Sequence, residues 1–184
     1  GWHIRRLSLP PDASPPEPDP AHRYFQREMP GEPVSATFIG NGSDARVLGF
    51  NRLIVRRQGT RPFVFCGVVG PVPLPDDVAV RLTAAVRTIV AAFSLRGLGS
   101  LDFMLDGNAF GVLEVNPRPP ASMALYGKRY FQSGSQAAPC GAVAAHVRAC
   151  MNDELPELAA QLADAGVQGT EIVFAPRPVW IDAH

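Results

Sequence analysis

The chain has 184 residues, 46% of them hydrophobic, and its 17 acidic side chains balance 17 basic ones. That length suits one folded domain, or a domain with an appendage, and the even charge offers no basic stripe for nucleic acid. The apolar runs are too short or too interrupted to span a bilayer and no leader peptide is visible, so a cytoplasmic protein is expected.

Residues 1–7 read as a short strand, and residues 8–22, dense in Pro and Asp, as an extended loop. Residues 23–29 and 34–40 read as strands around the turn Pro30-Gly31-Glu32-Pro33. Asn41-Gly42-Ser43-Asp44 marks another turn before a strand over 45–57, and 63–69 is a further apolar strand. Asp76 and Asp77 are expected as N-cap and first-turn acids of the clearest helix. Its apolar stripe is Val78, Leu82, Ala85, Val86, Ile89 and Phe93, with Gly97 following its end. Two alternating runs, 98–105 and 110–116, are joined by the turn formers Asp106, Gly107 and Asn108. Helices are expected over about 140–151 and 154–165, and short strands over 171–175 and 179–181. This order predicts an α+β fold with a mostly antiparallel sheet and packed helices.

Cys66, Cys140 and Cys150 are odd in number and lack metal-ligand spacing, which suits free thiols in a reducing compartment. Cys66, within FVFCGVV, reads as a buried structural thiol, and His146, in the apolar GAVAAHVRAC, as a packed or capped one. Lys128 is the only lysine and reads as a solvated loop residue, so chemistry needing two or three lysines is not contained in this chain.

The segment VLEVNPRPPAS, residues 112–122, carries the chemistry. Glu114, Asn116 and Arg118 recur at every second position, which in an extended strand sends all three to one face. An acid beside an amide oxygen suits a hard cation such as Mg²⁺, and the arginine suits phosphate. Asp102, in the preceding run, can join them only if it lies opposite Glu114. A three-residue loop at 107–109 gives that register, whereas a two-residue loop puts Asp102 opposite Leu113. The competing structural reading is an ordinary hairpin with a wet polar face.

Asp102 followed by Glu114-Val115-Asn116-Pro117-Arg118-Pro119 resembles the metal-binding signature of the ATP-grasp superfamily, and FQREMPGEPVSATFIG resembles its linker-and-strand segment. The resemblance implies that Asp102, Glu114 and Asn116 ligate Mg²⁺, or Mn²⁺ in its place, bridging the phosphates of ATP. It implies that Arg118 faces phosphate or an acyl-phosphate intermediate. Gln26, Arg27, Glu28 and Met29 would line the adenine, and Glu32 or a neighbour would reach the ribose. Residues 1–122 would form the core portion of the domain and 123–184 its variable carboxy-terminal segment. The Gln-x-x-x-Pro-Gly-x-Pro-x-Ser and Asn-Pro-Arg-Pro patterns look like carboligase-like members related to tyramine–glutamate ligase. Two departures stand out: Ser100 occupies the place of the arginine that usually precedes the first metal acid, and the family's phosphate-gripping lysines lie upstream of Gly1.

The resemblance therefore implies the carboxy-terminal part of an ATP-dependent carboxylate–amine ligase that works through an acyl phosphate and is inactive by itself. Its expected partners are a small carboxylate, an amine and the missing upstream part of the same protein, with no nucleic acid and no membrane. A homodimer is compatible with the chain, but no oligomeric state can be read from it. Two alternatives stand beside the ligase: a non-catalytic ATP-grasp-like binding module, and an ATP-dependent kinase.

Overall fold

The computed structural model describes residues 10, 12–14, 26–127, 131, 141–158 and 166–172. Its strands are β1 (Glu32–Asn41), β2 (Ala45–Gln58), β3 (Arg61–Gly70), β4 (Arg96–Asp106), β5 (Ala109–Asn116) and β6 (Gln168–Glu171). They form one sheet in the order β5-β4-β1-β2-β3-β6, and each neighbouring pair is antiparallel. Helix α1 (Asp76–Phe93) connects β3 to β4, while the 3₁₀ turn Ala121–Leu125 and helix α2 (Ala142–Asn152) follow β5. The expected α+β class with an antiparallel sheet is what the chain adopts.

Alternation in β1 explains why the sheet is covered on both sides. Val34, Ala36 and Phe38 face α1, where they pack with Leu101 and Phe103 of β4 against Val78, Leu82, Val86 and Val90. Ile39, Leu48, Val68 and Leu98 point the other way, against Leu125 and Tyr126 and against Ala142, Ala145 and Ala149 of α2. The alanine stripe lets α2 approach the sheet closely. At the β1–β2 turn the Asn41 side-chain oxygen accepts from the amides of Ser43 (3.1 Å) and Asp44 (2.8 Å), and Gly42 supplies a φ of +93°. Asp44 then forms a two-pronged pair with Arg87 of α1, whose guanidinium holds the carboxyl below its usual range.

Several local expectations are corrected. Pro75, not Asp76, occupies the N-cap of α1, and no side chain caps it; both acids lie in the first turn, where they still complement the exposed amides. The helix closes at Ser94 in the left-handed conformation, and Gly97 already belongs to β4, against the His146 ring. Residues 26–30 form no strand, because Pro30 cannot donate to a ladder and Gly31 follows at φ +108°. Residues 154–158 are not helical: Asp153 ends α2 in the left-handed conformation, and Pro156 biases Leu155 away from helix. Leu158 instead bridges to Phe131. The last strand starts at Gln168, before the expected Glu171. The strands expected at 1–7 and 179–181, most of the loop 8–22, residues 23–25 and 173–175 of two other expected strands, and 159–165 of the third helix lie outside the described residues. No helix among the described residues is long and apolar enough to cross a membrane.

Candidate metal centre

The β4–β5 hairpin is pinned to the start of α1. Arg81 donates to the Asn108 carbonyl (2.5 Å), pairs with Asp77 (3.2 Å), and lies over the Phe110 ring at 5.1 Å. Phe110 in turn meets Phe103 edge-on, with centroids 6.2 Å apart.

Pairing begins at Asp106↔Ala109, so the loop is the two-residue Gly107-Asn108 rather than the three-residue loop the metal site was expected to need. Phe103 then faces Val112, and a regular ladder would set Asp102 opposite Leu113. A β-bulge intervenes: Leu113 takes no partner, and pairing resumes at Asp102↔Glu114, Leu101↔Val115 and Ser100↔Asn116. The pattern of β5 demands this shift. Phe110, Val112, Glu114 and Asn116 share one parity, yet the first two belong on the α1 side and the last two do not. One extra residue turns the polar pair to the opposite face, where Asp102 lies.

There Asn116 Nδ2 donates to Asp102 Oδ2 (3.1 Å) and to Glu114 Oε1 (3.2 Å), and an Arg118 nitrogen lies 3.5 Å from Asn116 Oδ1. The structure thus brings Asp102, Glu114, Asn116 and Arg118 together. Glu114 and Arg118 are exposed, whereas Asp102 is half-buried. Burial pushes the Asp102 carboxyl up to about 6 and the Glu114 charge adds to this, while the Ser100 hydroxyl and the Arg118 charge oppose it. The amide N–H₂ fills the gap between two acids that repel each other. Turning the amide over would offer its oxygen beside both carboxylates. Two carboxylates and a carboxamide are hard oxygen donors, fitting Mg²⁺, which completes its shell with water and phosphate. Among the described residues no group of three or more His, Cys, Asp or Glu side chains could hold a metal; the cluster offers two carboxylates and one amide.

Beside the cluster, on the same face of the sheet, lies a buried polar layer that the sequence reading did not single out. The Tyr126 hydroxyl donates to Asn51 Oδ1 (2.7 Å), and Asn51 Nδ2 donates to Thr37 Oγ1 (2.9 Å), which shares a 2.6 Å hydrogen bond with Ser122 Oγ. Asn51 thereby ties both ends of the 3₁₀ turn to the sheet, just after Arg118 leaves β5. Gly49 leaves room for the tyrosine: a Cβ there would lie 2.6 Å from its hydroxyl. The available signal was parity, since Ser35 and Thr37 occupy the same face of an otherwise apolar strand.

The other expected residues are placed apart from the cluster. Gln26, Arg27 and Glu28 are exposed, and the Met29 thioether packs over Gly111 of β5, holding this segment against the hairpin. Glu32 shares the parity of Val34, on the α1 side of the sheet, and is ion-paired with Arg52 at 3.0 Å. Lys128 and Cys140 lie outside the described residues. Cys66 is buried and donates to the Val64 carbonyl, and His146 Nδ1 accepts the Leu98 amide, both structural roles.

No curated protein matches the chain. Among solved structures it is similar to N5-carboxyaminoimidazole ribonucleotide synthetase from Thermus thermophilus, with a TM-score of 0.53 and 18% identity over 70% of this chain and 34% of that one. The urea carboxylase of Kluyveromyces lactis gives a TM-score of 0.52 and 17% identity over 75% of this chain and 12% of that one. Phosphoribosylglycinamide synthetase from Anaerococcus prevotii gives 0.46 and 20% over 53% and 25%. The chain thus spans about a third or less of the length of these solved chains. The likeness concerns the fold. Residues 12–122 match the family model described as an ATP-grasp domain, which is more than half of the chain. The chain belongs to the ATP-grasp family.

Proposed function

We propose that the protein is an ATP-dependent carboxylate–amine ligase and that this chain supplies the metal-holding wall of its active site. The convergence of Asp102, Glu114 and Asn116 across the bulged hairpin carries this reading. Bound there, Mg²⁺ would neutralise charge on the ATP phosphates as it redistributes. Arg118, on the exposed end of β5, would hold the transferred phosphate through its planar fork. The 26–30 segment, held to the hairpin by Met29, would border the adenine, chiefly through its backbone.

In this reaction a substrate carboxylate oxygen attacks the γ-phosphorus, ADP leaves, and an acyl phosphate forms. An amine then attacks the acyl carbon, phosphate departs, and the amide is left. Catalysis is electrostatic, with charges placed before the reaction begins, and needs no protein nucleophile. The neighbours' names, a synthetase and a carboxylase, suit bond formation at a carboxyl group. The resemblance of the Gln26 to Ser35 and Asn116 to Pro119 patterns to relatives of tyramine–glutamate ligase implies glutamate or a similar amino acid as the carboxylate. Because the chain has one lysine and spans about a third or less of these solved chains, the rest of the polypeptide would supply the phosphate-gripping lysines.

Hydroxylamine trapping tests the proposal on the full-length protein. A hydroxamate formed with ADP release is expected. A stable phosphorylated hydroxyl product without hydroxamate would make the protein a kinase instead.

A further inference from the structure

Ser35 Oγ is a buried side-chain oxygen with no hydrogen-bond partner among the described residues, in a residue only 2% exposed. Such a hydroxyl is a net cost to the fold unless something satisfies it. The β1–β4 ladder pairs Ser35 directly with Asp102, so the two side chains share a face with Cβ atoms about 4.5–5.5 Å apart. Its other cross-strand neighbour, Asn51, is occupied: its amide donates to Thr37 and its oxygen accepts from Tyr126. Across the β1–β4 ladder Asp102 is the charged acceptor that Ser35 faces.

The arrangement of Asn116 says when that donor is needed. With its amide nitrogen toward the acids, Asn116 serves Asp102 Oδ2 itself. To ligate a cation the amide must turn its oxygen inward, and Asp102 then loses this N–H and keeps the Ser100 hydroxyl as a donor. We propose that Ser35 is a positioning residue whose hydroxyl takes over as donor to Asp102 in the cation-holding arrangement, fixing the carboxylate toward the ion. This rests on the cation reading above, and it explains why β1 keeps a costly hydroxyl in its buried centre.

Mn²⁺ titration of the full-length protein, followed by the spin-resonance signal of the free ion, tests it alongside metal-free urea denaturation. Ser35→Ala is expected to weaken Mn²⁺ binding about tenfold, as loss of an outer partner of a metal ligand does. Ser35→Thr, which keeps the hydroxyl, should bind within a few-fold of wild type. The metal-free denaturation midpoint of Ser35→Ala should be unchanged or higher. A lower midpoint with unchanged Mn²⁺ affinity would make the hydroxyl merely structural and overturn the proposal. Glu114→Gln separates the two levels. If it abolishes Mn²⁺ binding while Ser35→Ala does not weaken it, only the Ser35 assignment falls. If wild type takes up no Mn²⁺, or Glu114→Gln binds as wild type does, the cation reading falls and this assignment with it.

Discussion

Asp102→Asn should stabilise the metal-free protein near neutral pH, an unusual direction for a change at a half-buried site. The Asp102 carboxyl is raised from 3.8 to about 6, first by burial and then by the Glu114 charge. The folded state therefore binds its proton more tightly than the unfolded state. Stability from this group is full below about pH 4 and is lost as pH rises through about 6. At about 1.4 kcal/mol per pH unit, the gap from 3.8 to about 6 bounds the loss at about 3 kcal/mol, and partial exposure of the group reduces it to about 1–3 kcal/mol. Asparagine keeps the shape and carries no charge, so the penalty disappears. Urea denaturation with a chelator present should show the variant more stable by that amount at about pH 7.5, and close to wild type at about pH 4. Saturating Mg²⁺ should reverse the order, because binding to the folded state stabilises wild type more. If Asp102→Asn destabilises the metal-free protein equally at both pH values, the ionised carboxylate is not under strain and the reasoning fails.

Glu114→Gln should lower ATP turnover by the full-length protein by at least about 100-fold, since a transition-state charge partner is lost. Because Glu114 is exposed, its unfolding free energy should shift by no more than about 0.5 kcal/mol, checked by urea denaturation. Deleting Leu113 removes the bulge residue yet leaves Asp102 opposite Glu114, so the variant should fold and bind Mn²⁺ with an affinity comparable to wild type. Loss of the ion would show that the bulge contributes more than register. Tyr126→Phe leaves Asn51 Oδ1 without its donor and should cost about 1–3 kcal/mol in urea denaturation. An unchanged midpoint would mean that the Asn51 clamp does not hold the turn after Arg118.

Local periodicity was enough to read the sheet strands, α1 and the site-bearing hairpin, because each buries one face of its own repeat. The errors fell where a neighbour overrides the period. Pro75 displaced Asp76 as cap, Pro156 kept 154–158 out of a helix, and Pro30 with Gly31 kept 26–30 out of a strand. The bulge was visible as a change of parity, with apolar Phe110 and Val112 giving way to apolar Leu113 and Val115. A strict alternation template reads across that change and assigns the wrong loop. The buried polar layer lay further out of reach. Tyr126 and Asn51 are 75 residues apart and Thr37 and Ser122 are 85 apart, and no local pattern reports such partners. The Ser35 and Asp102 pairing likewise exists only once β1 lies against β4.

We propose that Asp102, Glu114 and Asn116 hold a divalent ion against the phosphates of ATP. Crystals of the full-length protein grown with Mn²⁺ and a non-hydrolysable ATP analogue test it most directly by anomalous diffraction. A manganese peak is expected between Asp102 and Glu114, with Asn116 Oδ1 turned toward it and phosphate oxygens completing the shell. No peak there, with the Asn116 nitrogen still donating to both carboxylates, would contradict the claim.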